Sequence, residues 1–487
     1  MPNVMLLYPP GKLFQRGEDR CQGNVEDSSA SGVRACNDLG YCAAVLERLG
    51  YAIFLRDYQT EKKTFGDVAA DIRAFEPNLI LISVTNATIY GDIAFTNALK
   101  ALVPGCVMVL KGAIFYDLAP EMLSLLDLES VDYLVGGEAE MAIGGIAEFA
   151  LKGLGDIAAV DNILYKDLSG RFQRTAFHVW NADLDAIPFP ARHHMNNALY
   201  VRPDTNEPMA TIQTSRGCAA ACIYCLSPQI SGKQVRYRSV ENVMEELEEC
   251  YARYGIRNFF FKADTFTLDL DWAKSLCRRI IDSPLHGKIA FTANSRTNPL
   301  DKEVLVLMKQ AGCFMVAFGF ESGSDATLRR IKKGATAGQN LQAAKWAREA
   351  GLPVFAFFMV GFPWETREDL EITRRHIFAI NADYIEIHIA LPYYGTELYR
   401  LCQAAGTLAG ETLGNDYFTS CITGTQSLSA RELIDFRRKV FRSYYFRPSY
   451  ILLKLKDCVR HPAVFANYAR YALRMVKTIL MNRSSFA

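Results

Sequence analysis

The chain of 487 residues is half hydrophobic and 22% charged, with a formal net charge of +1, so it can fill two or three folded cores and has no global attraction to nucleic acid. Its thirteen cysteines form no regular framework of the kind that staples small secreted domains, which points to a reducing compartment. No stretch reaches the roughly 18 to 20 apolar residues that cross a bilayer, and the opening Met1-Pro2-Asn3 with Val4 to Leu7 lacks the basic flank and length of a signal peptide, so a cytoplasmic location is expected.

From residue 1 to 150, short apolar runs alternate with amphipathic stretches. Val4 to Leu7, Ala52 to Leu55, Leu79 to Val84, Val107 to Leu110 and Tyr133 to Val135 read as strands, and Tyr41 to Leu49 and Ile93 to Leu102 as covering helices. This is the pattern of a doubly wound, Rossmann-like domain. Residues 151–209 lose the rhythm, and Pro188 and Pro190 in Leu184 to Pro190 favour an extended linker.

Alternation resumes over 210–404, with strands at Ala210 to Thr214, Asn258 to Lys262, Ile289 to Ala293, Phe314 to Gly319, Val354 to Met359 and Tyr384 to Ile389. Helices are expected at Val240 to Tyr251, Trp272 to Ile281, Lys302 to Gln310, Leu341 to Ala350 and Glu368 to Ile380. Six strand–helix units predict a partial (β/α)6 barrel, so the fold class is α/β throughout, followed by a helical, basic C-terminal region at 405–487. Between Phe441 and Ala487, nine Lys or Arg face the single acid Asp457, a local +8 that leaves the rest of the chain at −7. Aromatic and aliphatic residues, among them Tyr444, Tyr445, Tyr450 to Leu453, Phe465, Tyr468 and Tyr471, are interleaved with these bases. That composition suits a helical extension packed on the barrel, an anionic partner, or peripheral contact with a membrane. RNA also stacks on aromatics and attracts bases, but no RNA module is recognisable and nucleic acid is not expected.

The chemistry concentrates at Gly217-Cys218-Ala219-Ala220-Ala221-Cys222-Ile223-Tyr224-Cys225, directly after an expected strand. Three thiolates spaced by four and three residues can hold a cuboidal cluster and leave its fourth iron open. Zinc is the rival, but a structural zinc site wants four protein ligands and only the distant Cys250 is a candidate fourth. The segment resembles the CxxxCxxC loop of radical S-adenosylmethionine (SAM) enzymes, with Tyr224 as the aromatic before the third cysteine. The resemblance implies a [4Fe-4S] cluster on Cys218, Cys222 and Cys225, SAM chelated at the open iron and cleaved by one electron to a 5′-deoxyadenosyl radical, and a flavodoxin- or ferredoxin-type electron donor. It also implies SAM contacts from Gly319-Phe320-Glu321-Ser322-Gly323, from Asn294-Ser295-Arg296 and from Val360-Gly361-Phe362-Pro363. Glu321, Ser322, Ser295, Arg296 and Gly361 are thereby candidates. All three segments follow expected strands, at the rim where (β/α) folds build active sites. Asp264, in Asp264-Thr265-Phe266-Thr267, departs from the common GGE form; it could accept from the SAM amino group or cap a helix.

A Rossmann-like domain ahead of such a barrel resembles the cobalamin-binding subfamily. Leu39 to Leu46 looks like its first helix, Lys111-Gly112 with Ala119-Pro120-Glu121 like its G-G…P-E stretch, and Val135-Gly136-Gly137-Glu138-Ala139-Glu140 like its G-E-x-E turn. This implies cobalamin contacts from Ser83, Thr85, Gly112, Gly136, Gly137 and Glu138. No His precedes His178, so a histidine of this domain is not cobalt's lower ligand. A domain that keeps the fold and binds nothing is the alternative. The leading expectation is methylation of an unactivated carbon of a small-molecule or lipid-like substrate. A cyclase or oxidative enzyme without net methyl transfer is the alternative, and a non-enzymatic iron–sulfur or zinc scaffold the alternative from another class. Glu386 and His388, alternating on the last barrel strand, are candidates to face the substrate.

Overall fold

The computed structural model describes residues 1–16, 23–27, 32–116, 120–408, 410–416 and 420–460. Ala119 and the tail with Phe465, Tyr468 and Tyr471 lie outside the described residues.

The first sheet contains β1 (Asn3–Tyr8), β2 (Ala52–Asp57), β3 (Leu79–Ser83), β4 (Val107–Lys111), β5 (Tyr133–Val135), β6 (Ile163–Lys166) and β7 (Phe172–Arg174), in the order β2-β1-β3-β4-β5-β6-β7. The pairings among β1 to β5 are parallel, and β6 and β7 are added antiparallel. The order reverses between β1 and β3, the arrangement of a doubly wound fold. Alternation explains the apolar runs: Val4 and Leu6 enter one core with helices Asn37–Arg48 and Ala139–Lys152, while Met5 and Leu7 enter a second core on the other face. β6 and β7 fall in the stretch expected to be linker, so the first sheet extends further along the chain than the sequence indicates.

The second sheet is made of β8 (Met209–Gln213), β11 (Asn258–Lys262), β12 (Ala290–Ser295), β13 (Cys313–Glu321), β14 (Val354–Val360) and β15 (Tyr384–Ile389), each paired parallel with its neighbours in sequence order. Two short antiparallel strands, β9 (Ser215–Arg216) and β10 (Arg236–Tyr237), stand just beyond β8. Phe259, Phe261, Phe291 and Phe318 point outward into the core beneath the helices. This is the expected partial barrel, and all five expected helices are present, with ends displaced by up to four residues.

Helix Ala430–Tyr445 docks on the barrel's edge strand, and helix Pro448–Arg460 follows. Tyr444 donates to Ala382 O (2.5 Å), Tyr445 to Ile385 O (2.8 Å) and Tyr450 to Asp383 O (2.8 Å). Three of the tail's aromatics thus satisfy carbonyls on and before β15, which an edge strand otherwise leaves open. Among the described residues, no helix is long and apolar enough to cross a membrane.

Candidate active site

The cysteine loop is a closed excursion whose stem is the β9–β10 pair. Gly217 turns the chain at φ +94°, and a Cβ there would stand 2.2 Å from Gln234 O, so only glycine fits. Ile223 anchors the loop: it is buried with Ile331, Phe362 and Leu398, its N–H donates to Ile331 O, and its carbonyl accepts from Leu398 N. With Ile223 turned into this core, Cys218, Cys222 and Cys225 line a cavity at the C-terminal ends of the second sheet. The empty space along this lining, the part open to solvent included, is about 1220 Å³.

Asp264, after β11, holds both ends of the loop, accepting from Gly217 N (3.0 Å) and from Ser227 Oγ (2.6 Å). It lines the cavity while these two bonds tie its carboxylate to the loop. Arg296 donates to Cys222 Sγ (3.4 Å) and Ser227 N to Cys225 Sγ (3.4 Å), donors of the kind that stabilise cluster thiolates. Among the described residues the one set of three His, Cys, Asp or Glu ligand atoms within 4.8 Å of one another is elsewhere. Zinc bonds of about 2.3 Å would place its thiolates about 3.8 Å apart, whereas a cuboidal cluster seats each thiolate on a separate iron. Cys250 lies in the barrel's hydrophobic core, where burial pushes its thiol up to about 12, and supplies no fourth ligand.

The remaining candidates divide. Glu321 reaches the cavity from a left-handed residue, φ +64°, at a register shift in β13, and pairs with Lys333 Nζ (2.7 Å). Gly319 makes room for that pair, since a Cβ there would stand 2.6 Å from the Glu321 carboxylate and 2.8 Å from Lys333. Ser295 lines the cavity, and its buried Oγ has no hydrogen-bond partner. Tyr224 also faces it; burial, then the negative charges of Glu321, Cys222 and Cys225, keep the phenol protonated and able to donate. His388 is on the cavity wall, and burial lowers its pKa to about 3, so the imidazole is neutral. Two candidates point elsewhere: Ser322 Oγ meets Thr373 Oγ1 (3.0 Å), and Gly361, φ +92°, lies beneath Leu433 with its N–H donated to Glu365. Glu386 is buried outside the cavity lining. Sequence reading misses Lys333, whose partner is twelve residues away, and Arg34, which comes from ahead of helix Asn37–Arg48 to stack 4.0 Å over Phe260 at the cavity.

In the first unit, the six positions expected at cobalamin meet protein. Ser83 Oγ donates to Asp38 (3.0 Å), which is also bound by Lys111 and Tyr8, each at 2.5 Å. Thr85 accepts from Ala87 N. A Cβ on Gly112 would stand 2.8 Å from Val84, one on Gly136 2.9 Å from the Phe115–Tyr116 backbone, and one on Gly137 2.7 Å from the Tyr116 hydroxyl. Glu138 pairs with Arg236 (2.6 Å) and Arg216 (3.4 Å), and Glu140 with Arg216, all buried. These residues hold the loops at the two sheets' C-terminal ends together. At the same edge of the first sheet Asn86 donates to Thr412 O (3.0 Å), and the buried Thr412 Oγ1 has no hydrogen-bond partner.

Comparison with known proteins agrees with this geometry. Residues 212–377 match the model of the radical SAM superfamily. An uncharacterized methyltransferase of Pyrococcus horikoshii is 31% identical over 87% of this chain and 90% of its own length. The cytidylyl-2-hydroxyethylphosphonate methyltransferase of Streptomyces wedmorensis is 27% identical, covering 83% of this chain and 82% of its own. An anaerobic magnesium-protoporphyrin IX monomethyl ester cyclase of Cereibacter sphaeroides is 22% identical, covering 84% and 66%. Among solved structures, the cobalamin-dependent SAM radical enzyme OxsB, with aqua-cobalamin and SAM bound, superposes with a TM-score of 0.75 at 14% identity. That match covers 99% of this chain and 72% of OxsB and is a likeness of fold.

Proposed function

The chain belongs to the radical SAM superfamily, and from that premise we propose that it methylates an unactivated carbon of a small, largely apolar substrate, with a [4Fe-4S] cluster, SAM and cobalamin. The observation that carries this reading is the convergence of Cys218, Cys222 and Cys225 with Arg296 and the Glu321–Lys333 pair on one cavity. When bound, the cluster supplies the electron that cleaves SAM, and cobalamin carries the methyl group.

The three cysteines would hold the cluster, and Asp264 keeps their loop in shape. Ser295 Oγ and Tyr224 Oη would offer hydrogen bonds to SAM, and Glu321, turned into the cavity by its backbone, would bind a cationic or hydroxyl group while Lys333 orients it. Phe357, Met359 and Leu391 line an apolar wall on which the substrate would rest, with neutral His388 as its polar contact. Cobalamin would lie at the C-terminal edge of the first sheet, near the β1/β3 switch point, where Thr412 Oγ1 awaits a partner. The first-sheet unit runs through β7 to Arg174, a connector leads from it to the second-sheet unit at 210–404, which would carry the cluster, and 405–487 follows. A flavodoxin- or ferredoxin-type protein would deliver electrons in the cytoplasm. Helix Pro448–Arg460, with Leu452, Leu455 and Val459 exposed beside Lys454, would rest on a membrane surface.

The deciding experiment is anaerobic reconstitution with methyl-labelled SAM. Production of 5′-deoxyadenosine and S-adenosylhomocysteine, with label retained by the corrin or the product, is expected. Cleavage of SAM with no methyl leaving it moves the reaction to ring closure or oxidation, as in the cyclase relatives. An intact cluster with no 5′-deoxyadenosine overturns the reading.

A further inference from the structure

Away from the cavity, a second group of ligand atoms converges. Glu47 Oε1 lies 2.8 Å from His193 Nε2 and 2.7 Å from His194 Nε2, and all three ligand atoms fall within 4.8 Å of one another. Glu47 is in the last turn of helix Asn37–Arg48, and the two histidines are consecutive in the single turn Arg192–His194, their rings side by side with centroids 4.4 Å apart.

Buried neighbours hold these side chains in register. Arg192 is buried against Glu246 (2.6 Å) and donates to Thr211 O (2.9 Å), which fixes the turn to the barrel. On the helix side, Gly40 admits the turn: a Cβ there would stand 2.0 Å from Met195 and 2.9 Å from Pro190, and Gly40 O accepts from Ala191 N (3.0 Å). The three side chains remain partly exposed, so an ion can reach them and keep water on its outer face.

Two imidazole nitrogens and one carboxylate oxygen form a donor set suited to zinc and the neighbouring late first-row divalent ions. In a tetrahedral shell, bonds of about 2.1 Å would set the donors about 3.4 Å apart, so the partly exposed rings must draw back from Glu47 by about 0.6–0.7 Å to admit the ion. We propose that Glu47, His193 and His194 form a divalent-metal site of the zinc class that fastens the first unit's helix to the connector entering the barrel. The ion would take the place of the proton shared between each imidazole and the carboxylate, with both histidines neutral and water completing its shell.

The test is anaerobic calorimetric titration of the cluster-loaded enzyme with zinc chloride, the loaded cluster keeping Cys218, Cys222 and Cys225 occupied. One ion per chain is expected, with a rise in the thermal unfolding midpoint. The double variant H193A/H194A should lose that ion. Glu47→Gln, which can still hydrogen-bond to both rings, should weaken it by at least about tenfold. Iron content and SAM cleavage should be the same in all three proteins, which separates this site from the cluster. Equal binding by wild type and double variant, or no binding to wild type at about 100 μM zinc, well above the range of structural zinc sites, would show that the three side chains form a hydrogen-bonded cluster only.

Discussion

The C-terminal edges of the two sheets are built from similar materials, acids, bases, hydroxyls and glycines following parallel strands, yet they use them differently. At the first sheet these groups close on one another: Asp38 with Lys111, Tyr8 and Ser83, and Glu138 and Glu140 with the arginines of the cluster-loop stem. At the second sheet they face open space, where Ser295 Oγ has no partner and three thiols share one cavity wall. A polar group balanced by protein is architecture, whereas one aimed at a void is chemistry.

Substitutions can break that contrast. The largest effect belongs to the cavity side: alanine at Cys218, Cys222 or Cys225 should abolish iron retention and lower 5′-deoxyadenosine formation by about 1000-fold or more, with the unfolding midpoint nearly unchanged. Iron analysis and product quantitation read it. Glu138→Ala should do the opposite. It leaves Arg236 without a carboxylate in the interior and Arg216 with Glu140 alone, and should cost about 3–5 kcal/mol in urea unfolding, while corrin uptake per folded molecule stays constant. Loss of corrin at unchanged stability would make Glu138 a ligand contact instead.

Lys111→Met should cost towards the lower end of that range, about 3 kcal/mol, and it carries a pH signature. Burial alone would raise the pKa of Asp38, but Lys111 and the hydrogen bonds from Lys111, Tyr8 and Ser83 hold it below 3.8. The wild-type contribution is therefore full above that value and is lost as pH falls through the lower folded pKa. The difference between wild type and variant should narrow only in that acidic window. Gly217→Ala should cost about 2 kcal/mol of backbone strain and show first as iron loss at unchanged circular dichroism. Smallest is Ser295→Ala: stability should hold, and KM for SAM should rise about threefold, with kcat little affected.

Much of this contrast is readable before folding, and the unread part has a physical cause. The cysteine spacing is local, so its chemistry is visible in nine residues. Continuous apolar runs announce strands buried on both faces. β6 and β7 are missed because short antiparallel strands with one exposed face, such as Phe172-Gln173-Arg174, lack such a run. Gly136 and Gly137 are readable as places of close approach, but what approaches, the Phe115–Tyr116 backbone and the Tyr116 hydroxyl, comes from another loop. Lys333 and Arg34 owe their positions to partners that pattern cannot identify. The tail's tyrosines are visible as a composition, but their hydrogen bonds to 382–385 are not.

Arg216 is one of the largest fully buried side chains, yet it stands in the stem of the cluster loop with its counter-charges on the other unit. A fragment that began at residue 210 would inherit Arg216 and Arg236 with their carboxylates cut away. It should express as a poorly soluble barrel that refuses cluster loading. Docking of the two halves should therefore precede iron entry during maturation, an order that cluster loading of the separately expressed halves would test.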